Sequence, residues 1–147
     1  MLFHFLYQWA SLVALLVTVG AAAWRGAWPE RFGAAAMVVA WVASALVYNS
    51  ILLRGFQVAP MLVDLALTLA LLYVALRSDR WWPMWACAFQ ALNVVLHFAL
   101  AADDVLWRWA AWLASSCFSY LAMLALLCGA LGRPRAPVPT DAASPLT

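Results

Sequence analysis

The stretch that decides the fold is PMLVDLALTLALLYVAL at residues 60–76, in which Asp64 is the only charged residue. A helix needs about 20 predominantly apolar residues to cross roughly 30 Å of hydrocarbon, and proline is tolerated in the first turn of a helix. The stretch begins with Pro60 and is followed by RSDR at residues 77–80, which predicts a turn. Residues 60–76 are therefore predicted to form a transmembrane helix.

Four further apolar stretches flank this one. They cover about residues 2–24, 32–53, 82–101 and 105–131. The 147-residue chain is 69% hydrophobic and only 10% charged, so it cannot cover a water-exposed surface. Backbone amides in lipid must be satisfied internally, which favours helices. The predicted fold is an all-α integral membrane bundle of five transmembrane helices over residues 1–131, without a soluble domain.

The arginines predict an orientation, because basic loops are retained on the cytoplasmic side of a membrane. With five spans, one side carries Arg25, Arg31, Arg77, Arg80, Arg133 and Arg135, and the other carries only Arg54 and Arg108. The N-terminus is therefore predicted outside and the C-terminus inside. Residues 132–147 are rich in proline and small polar residues, which predicts a disordered cytoplasmic tail.

Tryptophans mark the predicted span boundaries, since an indole prefers the interface, where its N–H can meet water. The inner belt comprises Trp24, Trp28, Trp81, Trp82 and Trp85, and the outer belt comprises Trp107, Trp109 and Trp112. The first connection carries Arg25, Pro29, Glu30 and Arg31, and we predict a polar loop there, outside the hydrocarbon.

Polar side chains inside the spans recur at helical spacing, which places them along one edge of each helix. The edges comprise His4, Tyr7, Gln8 and Ser11, then Ser44 and Tyr48, Asp64 and Thr68, Gln90, Asn93 and His97, and Ser115 and Ser119. At 1.5 Å per residue, His4, Tyr48, Asp64 and His97 lie roughly within 10 Å of the outer boundary. We therefore predict a polar outer cavity above a dry inner floor.

Asp64 is the leading candidate residue, because a carboxylate inside a span must pair, protonate or meet water. Its nearest partners by depth are His97 and His4. Three alternatives stay open. Asp64 locks the bundle, for example through Tyr48, Asn49 or Arg54, or it accepts a proton or contacts a ligand. In the third, the span boundary lies elsewhere and leaves Asp64 in water.

The remaining polar residues give weaker signals. Two histidines at equal depth, His4 and His97, could ligate a haem iron or a chlorophyll magnesium, although no cofactor is required. Gln90 and Asn93 are typical of hydrogen bonds between membrane helices. Cys87, Cys117 and Cys128 lack metal-ligand spacing and are expected to pack as small apolar residues. No nucleotide loop, HExxH or nucleophile elbow is present, so an enzyme is not expected.

The segment RSDRWWPMWACAFQALNVVLHFA at residues 77–99, with the preceding residues 60–76, resembles a family of small uncharacterised inner-membrane proteins of alphaproteobacteria. The resemblance covers about a third of the chain. It implies a multi-pass location in the inner membrane of a Gram-negative bacterium and transfers no activity.

Two functions fit these features. The first is a small accessory or scaffolding subunit that packs against a larger inner-membrane complex, respiratory or photosynthetic. The alternative is a small-molecule or proton-linked binding protein or carrier that uses the periplasmic cavity around Asp64 and His97. An enzyme acting on a lipid or quinone through His97 and Asp64 is the minority reading. The expected partners are membrane lipids and other integral membrane subunits, and no nucleic acid.

Overall fold

The computed structural model is all-helical in the part that it describes, which is residues 2–49, 58–102 and 108–132, with side chains for 9–46, 59–100, 110–111 and 113–132. The helices are α1 (Leu2–Arg25), α2 (Trp28–Asn49), α3 (Val58–Arg77), α4 (Trp82–Ala102) and α5 (Arg108–Leu131). Each overlaps one of the predicted apolar stretches. The all-α prediction is confirmed.

Three helices contain segments that are long and apolar enough to cross a membrane. Within the described residues these are Ala59–Arg77 in α3, Trp82–Leu100 in α4 and Leu113–Leu131 in α5. The described apolar part of α1, Trp9–Arg25, is shorter. The structure is thus a helical bundle with three candidate membrane spans.

The helices pack in a ring that follows the order of the chain. α4 packs most extensively against α5 and α3, α2 packs against α3, and α1 closes the ring between α5 and α2. Short connections join antiparallel helices, so α2 and α4 begin where α1, α3 and α5 end. We call this side of the bundle the Glu30 end, and the opposite side the Asp64 end.

The apolar core is densest at the Glu30 end. Leu71 and Val74 of α3, Trp82 of α4 and Leu126 of α5 have no exposed surface there. Elsewhere every helix exposes large apolar side chains, including Leu16, Val39, Leu69, Val95 and Leu113. An apolar outer surface around a small core is expected of helices that face lipid or other membrane helices.

The first connection is shorter than the predicted polar loop. α1 ends at Arg25 and α2 already begins at Trp28, so Glu30 and Arg31 belong to the first turn of α2. The prediction of a loop through residue 31 is therefore wrong. An acidic residue at the start of a helix can accept from exposed backbone N–H groups and is favoured by the helix dipole, so polarity alone does not distinguish a cap from a loop.

A glycine and a capping contact allow this tight connection. At Gly26 a Cβ atom would lie 2.2 Å from the carbonyl oxygen of Ala22, so no larger residue fits. The N–H of Ala27, the residue before the helix, donates to Glu30 Oε2 at 2.8 Å. This contact is one half of a capping box, in which a glutamate satisfies the N–H three residues earlier.

Candidate functional site

The carboxylate of Asp64 binds three side chains of the neighbouring helix α4. Gln90 Nε2 donates to Oδ1 at 2.8 Å, and Asn93 Nδ2 donates to Oδ2 at 3.0 Å. His97 Nε2 lies 2.9 Å from the same Oδ2. The structure therefore brings together four of the six predicted site residues. We call these four residues the Asp64 cluster.

Local helix geometry explains the convergence. Gln90, Asn93 and His97 are spaced by three and four residues, which places them on one face of α4. The turn at residues 78–81 makes α3 and α4 antiparallel neighbours, and Asp64 in the second turn of α3 faces the middle and later turns of α4. Thr68 does not join the cluster, because its hydroxyl donates to the carbonyl of Asp64 in its own helix at 2.7 Å.

The Asp64 cluster has a buried floor and a more open rim. Gln90 and Asn93 are each only 2% exposed, whereas the side chains of His97 and Asp64 are 18% and 19% exposed. The contact between His97 and Asp64 needs one proton, carried either by the imidazole nitrogen or by the carboxyl oxygen. The two heavy atoms of this contact already lie within hydrogen-bonding distance of each other.

One acceptor in the Asp64 cluster has no donor among the described residues. Asn93 Oδ1 is buried and accepts no hydrogen bond there. Buried polar atoms in native proteins are nearly always bonded, so each exception needs a physical explanation. Asn93 Oδ1 is therefore the one buried acceptor of the Asp64 cluster that the described residues leave unbonded.

In the Asp64 cluster, His97 could ligate a metal or haem iron through one ring nitrogen only, with the other nitrogen on a carboxylate, which is the usual partner of a ligating histidine. His97 Nε2, one of its two possible ligand atoms, is engaged with Asp64, which leaves only Nδ1. The described residues contain no group of three His, Cys, Asp or Glu side chains that could hold a metal ion. The side chains of His4 and Tyr48, the other two predicted site residues, lie outside the described side chains.

The predicted tryptophan belts divide into three groups. Trp24, Trp28, Trp81 and Trp85 are exposed at the Glu30 end, with exposed fractions of 87%, 51%, 56% and 57%. Trp107, Trp109 and Trp112 lie outside the described side chains. Trp82 was predicted to anchor at the interface, and this is wrong, because its indole has no exposed surface. It packs inside the bundle, where a buried N–H needs an acceptor.

That acceptor is Glu30, which belongs to a second polar cluster missed by sequence analysis. Trp82 Nε1 donates to Glu30 Oε1 at 3.1 Å, and Arg80 Nε lies 3.6 Å from the same oxygen. With the N–H of Ala27 on Oε2, the fully buried carboxylate has three partners. The Glu30 end of the bundle therefore buries a carboxylate that the sequence analysis had assigned to a loop. The signal available in the sequence was AWPE at residues 27–30, where a glutamate follows three residues after a cap position.

Comparison with protein families, with curated proteins and with solved structures gives no match to this chain.

Proposed function

We propose that this chain is a multi-pass protein of a bacterial inner membrane, with five spans, the N-terminus outside and the C-terminus inside. The proposal extends the three candidate spans to α1 and α2, which pack against them in one ring. The orientation is supported by arginines at the Glu30 end, namely Arg25, Arg31, Arg77 and Arg80, because basic residues are retained in the cytoplasm.

Within this placement, we propose that the protein binds a small polar molecule in a proton-linked manner at the Asp64 cluster, as a binding protein or carrier. The observation that carries the proposal is the contact of 2.9 Å between Asp64 and His97 on two apolar helices. Ionisable residues inside spans are costly and mark ligand or proton sites by default. Asn93 Oδ1, buried beside the carboxylate, is an acceptor that no described residue uses.

Chemical modification tests whether protons and small molecules reach this site. In isolated membranes dicyclohexylcarbodiimide should modify Asp64, since the reagent enters lipid and adds to protonated carboxyl groups. Mass spectrometry of peptides should find an adduct at Asp64 that is lost in Asp64→Asn. Glu30 is the matched internal control, because its buried carboxylate has no exposed surface and should stay unmodified. An unmodified Asp64 would contradict the proposal and leave the residue as a lock between α3 and α4.

An accessory subunit is the second candidate, and Trp41 favours it. Trp41 lies in the middle of α2 and is 38% exposed. No described residue accepts a hydrogen bond from its indole N–H. Far from the headgroups that could accept this bond, an exposed indole is suited to a partner helix. The proposed partner is another integral membrane subunit of a larger respiratory or photosynthetic complex.

Purification in a mild detergent from the native membrane tests this candidate. Mass spectrometry should identify stoichiometric partner chains, and Trp41→Phe should weaken their retention about tenfold, the effect of roughly one hydrogen bond. Trp85→Phe is the control, because that indole is exposed at the start of α4. If the chain purifies alone, the accessory-subunit candidate fails and the Asp64 cluster becomes the sole candidate site. An absorption spectrum of the same sample would reveal bound haem or chlorophyll.

A further inference from the structure

A groove of about 470 Å³ runs between α1 and α2 at the Glu30 end, away from the Asp64 cluster. Its walls are Val19 and Ala23 of α1 and Ala34 and Ala35 of α2, and Arg31 lies along it. Three of these residues are alanines, so the two helices leave an apolar channel on the outer surface. The groove is within the volume range of about 300–1,000 Å³ that is typical of small-molecule sites.

The guanidinium of Arg31 is positioned at this groove but is not neutralised by a described carboxylate. Its Nη2 donates to the carbonyl of Ala23 across the groove at 3.3 Å. The carboxylate of the neighbouring Glu30 already accepts hydrogen bonds from Trp82 and from the N–H of Ala27, and it lies beside Arg80. The exposed cation therefore has free N–H donors at one end of an apolar channel.

Two indoles indicate where the membrane surface would lie. Trp24 follows Ala23 of the groove and is 87% exposed, and Trp28 lies one turn from Arg31 and is 51% exposed. Exposed tryptophans are enriched at the level of the lipid headgroups. Arg31 would then lie near the phosphate layer, with the alanine walls beside the acyl chains.

We infer that this groove binds one anionic phospholipid, whose phosphate contacts Arg31 and whose acyl chain lies between Ala23 and Ala35. The inference rests on the proposed membrane placement of α1 and α2 and is independent of the Asp64 cluster. Charge complementarity selects the occupant, because arginine donates paired hydrogen bonds to phosphate oxygens and the channel beyond it is apolar. A soluble anion such as inorganic phosphate would leave that channel unfilled.

The test uses the full-length protein in detergent micelles and two lipids with identical acyl chains, phosphatidylglycerol and phosphatidylcholine. Native mass spectrometry measures the affinity of each for the protein. The wild type should bind one phosphatidylglycerol about fivefold more tightly than phosphatidylcholine, as expected for one arginine near an anionic headgroup. Arg31→Gln should abolish this preference. Ala35→Leu should weaken the binding of both lipids, because the larger side chain fills the channel. Inorganic phosphate should not displace the bound lipid.

Arg77→Gln is the matched control, because Arg77 is also exposed at the Glu30 end but lies over the ring of Tyr73, outside the groove. It should leave the lipid preference unchanged. The groove site would be overturned if Arg31→Gln and Arg77→Gln lowered the preference for phosphatidylglycerol equally, or if Arg31→Gln did not lower it. Displacement by inorganic phosphate would reassign it to a soluble anion.

Failure of the membrane placement is measured separately from failure of the groove site. Alkaline carbonate should not extract the wild-type chain or either arginine variant from membranes. Extraction of the wild type would overturn the placement, and with it this inference. A chain that stays in the membrane but shows no lipid preference would overturn the inference alone.

Discussion

Glu30→Ala should lower the free energy of unfolding by about 3–5 kcal/mol, because it removes the acceptor of one buried indole N–H and of the backbone N–H that caps α2. The indole N–H of Trp82 and the backbone N–H of Ala27 both lose their partner. Arg80 contributes less to the loss, since its side chain is 31% exposed and can turn toward solvent. The carboxylate itself has no exposed surface, so its removal also leaves a cavity.

Thermal unfolding in detergent micelles, followed by circular dichroism, measures this loss. A drop of the midpoint by roughly 10 °C is expected for a chain of this size. Glu30→Gln should give an intermediate drop, because the amide oxygen can accept from one donor but carries no charge for Arg80. Asp79→Ala removes an exposed carboxylate of the same turn and should change the midpoint little. A Glu30→Ala midpoint equal to that of Asp79→Ala would contradict a structural role for the buried carboxylate.

Gly129→Ala should also be strongly destabilising, by about 2–3 kcal/mol, because α5 and the base of the Trp82 side chain touch at this glycine. A Cβ atom there would lie 2.2 Å from Trp82 Cδ1 and 2.9 Å from Trp82 Cβ. Atoms so close to the backbone cannot move aside as the tip of a side chain can. The far edge of the ring is confined as well, since a Cβ atom at Gly33 would lie 2.6 Å from Trp82 Cη2.

Gly20→Ala is the control for helix propensity. Gly20 in α1 has nothing within 4 Å of the position of its Cβ atom. Alanine there should leave stability unchanged or raise it by up to about 1 kcal/mol, since alanine is the better helix former. If Gly129→Ala behaves like Gly20→Ala in thermal unfolding, the close approach of α5 to Trp82 is wrong.

The two destabilising changes should not be additive when combined. Glu30 fixes the N–H of the Trp82 indole, and Gly129 fixes the position of the same ring. Once one substitution has released the indole, the second removes fewer stabilising contacts. The double variant should therefore lose less free energy of unfolding than the sum of the two single variants. A fully additive loss would indicate that Glu30 stabilises the bundle through its cap to Ala27 instead.

The two ends of the bundle thus use buried carboxylates differently. Glu30 is fully enclosed and bonded within the densest part of the core. Asp64 is also bonded, but its side chain is 19% exposed and its Oδ2 lies 2.9 Å from His97 Nε2. We therefore expect changes at Glu30 to act mainly on stability, and changes at Asp64 to act mainly on binding.

The sequence by itself determined the five helices and most of the Asp64 cluster, because both depend on local periodicity. Apolar runs of span length predict helices wherever their neighbours lie. The spacing of Gln90, Asn93 and His97 places them on one face of α4. A short turn then leaves α3 as the adjacent helix, where Asp64 is the only acid.

Only the tertiary structure decided which charged and aromatic residues are buried. Glu30 and Trp82 have the chemistry of interface residues, and nothing in their local sequence distinguishes an exposed indole from a buried one. Trp82 is buried because Gly33 and Gly129, on two other helices, leave space for its ring. Glu30 is buried because that ring and Arg80 provide partners for its carboxylate. These contacts join residues far apart in the chain, and they form only when the helices pack.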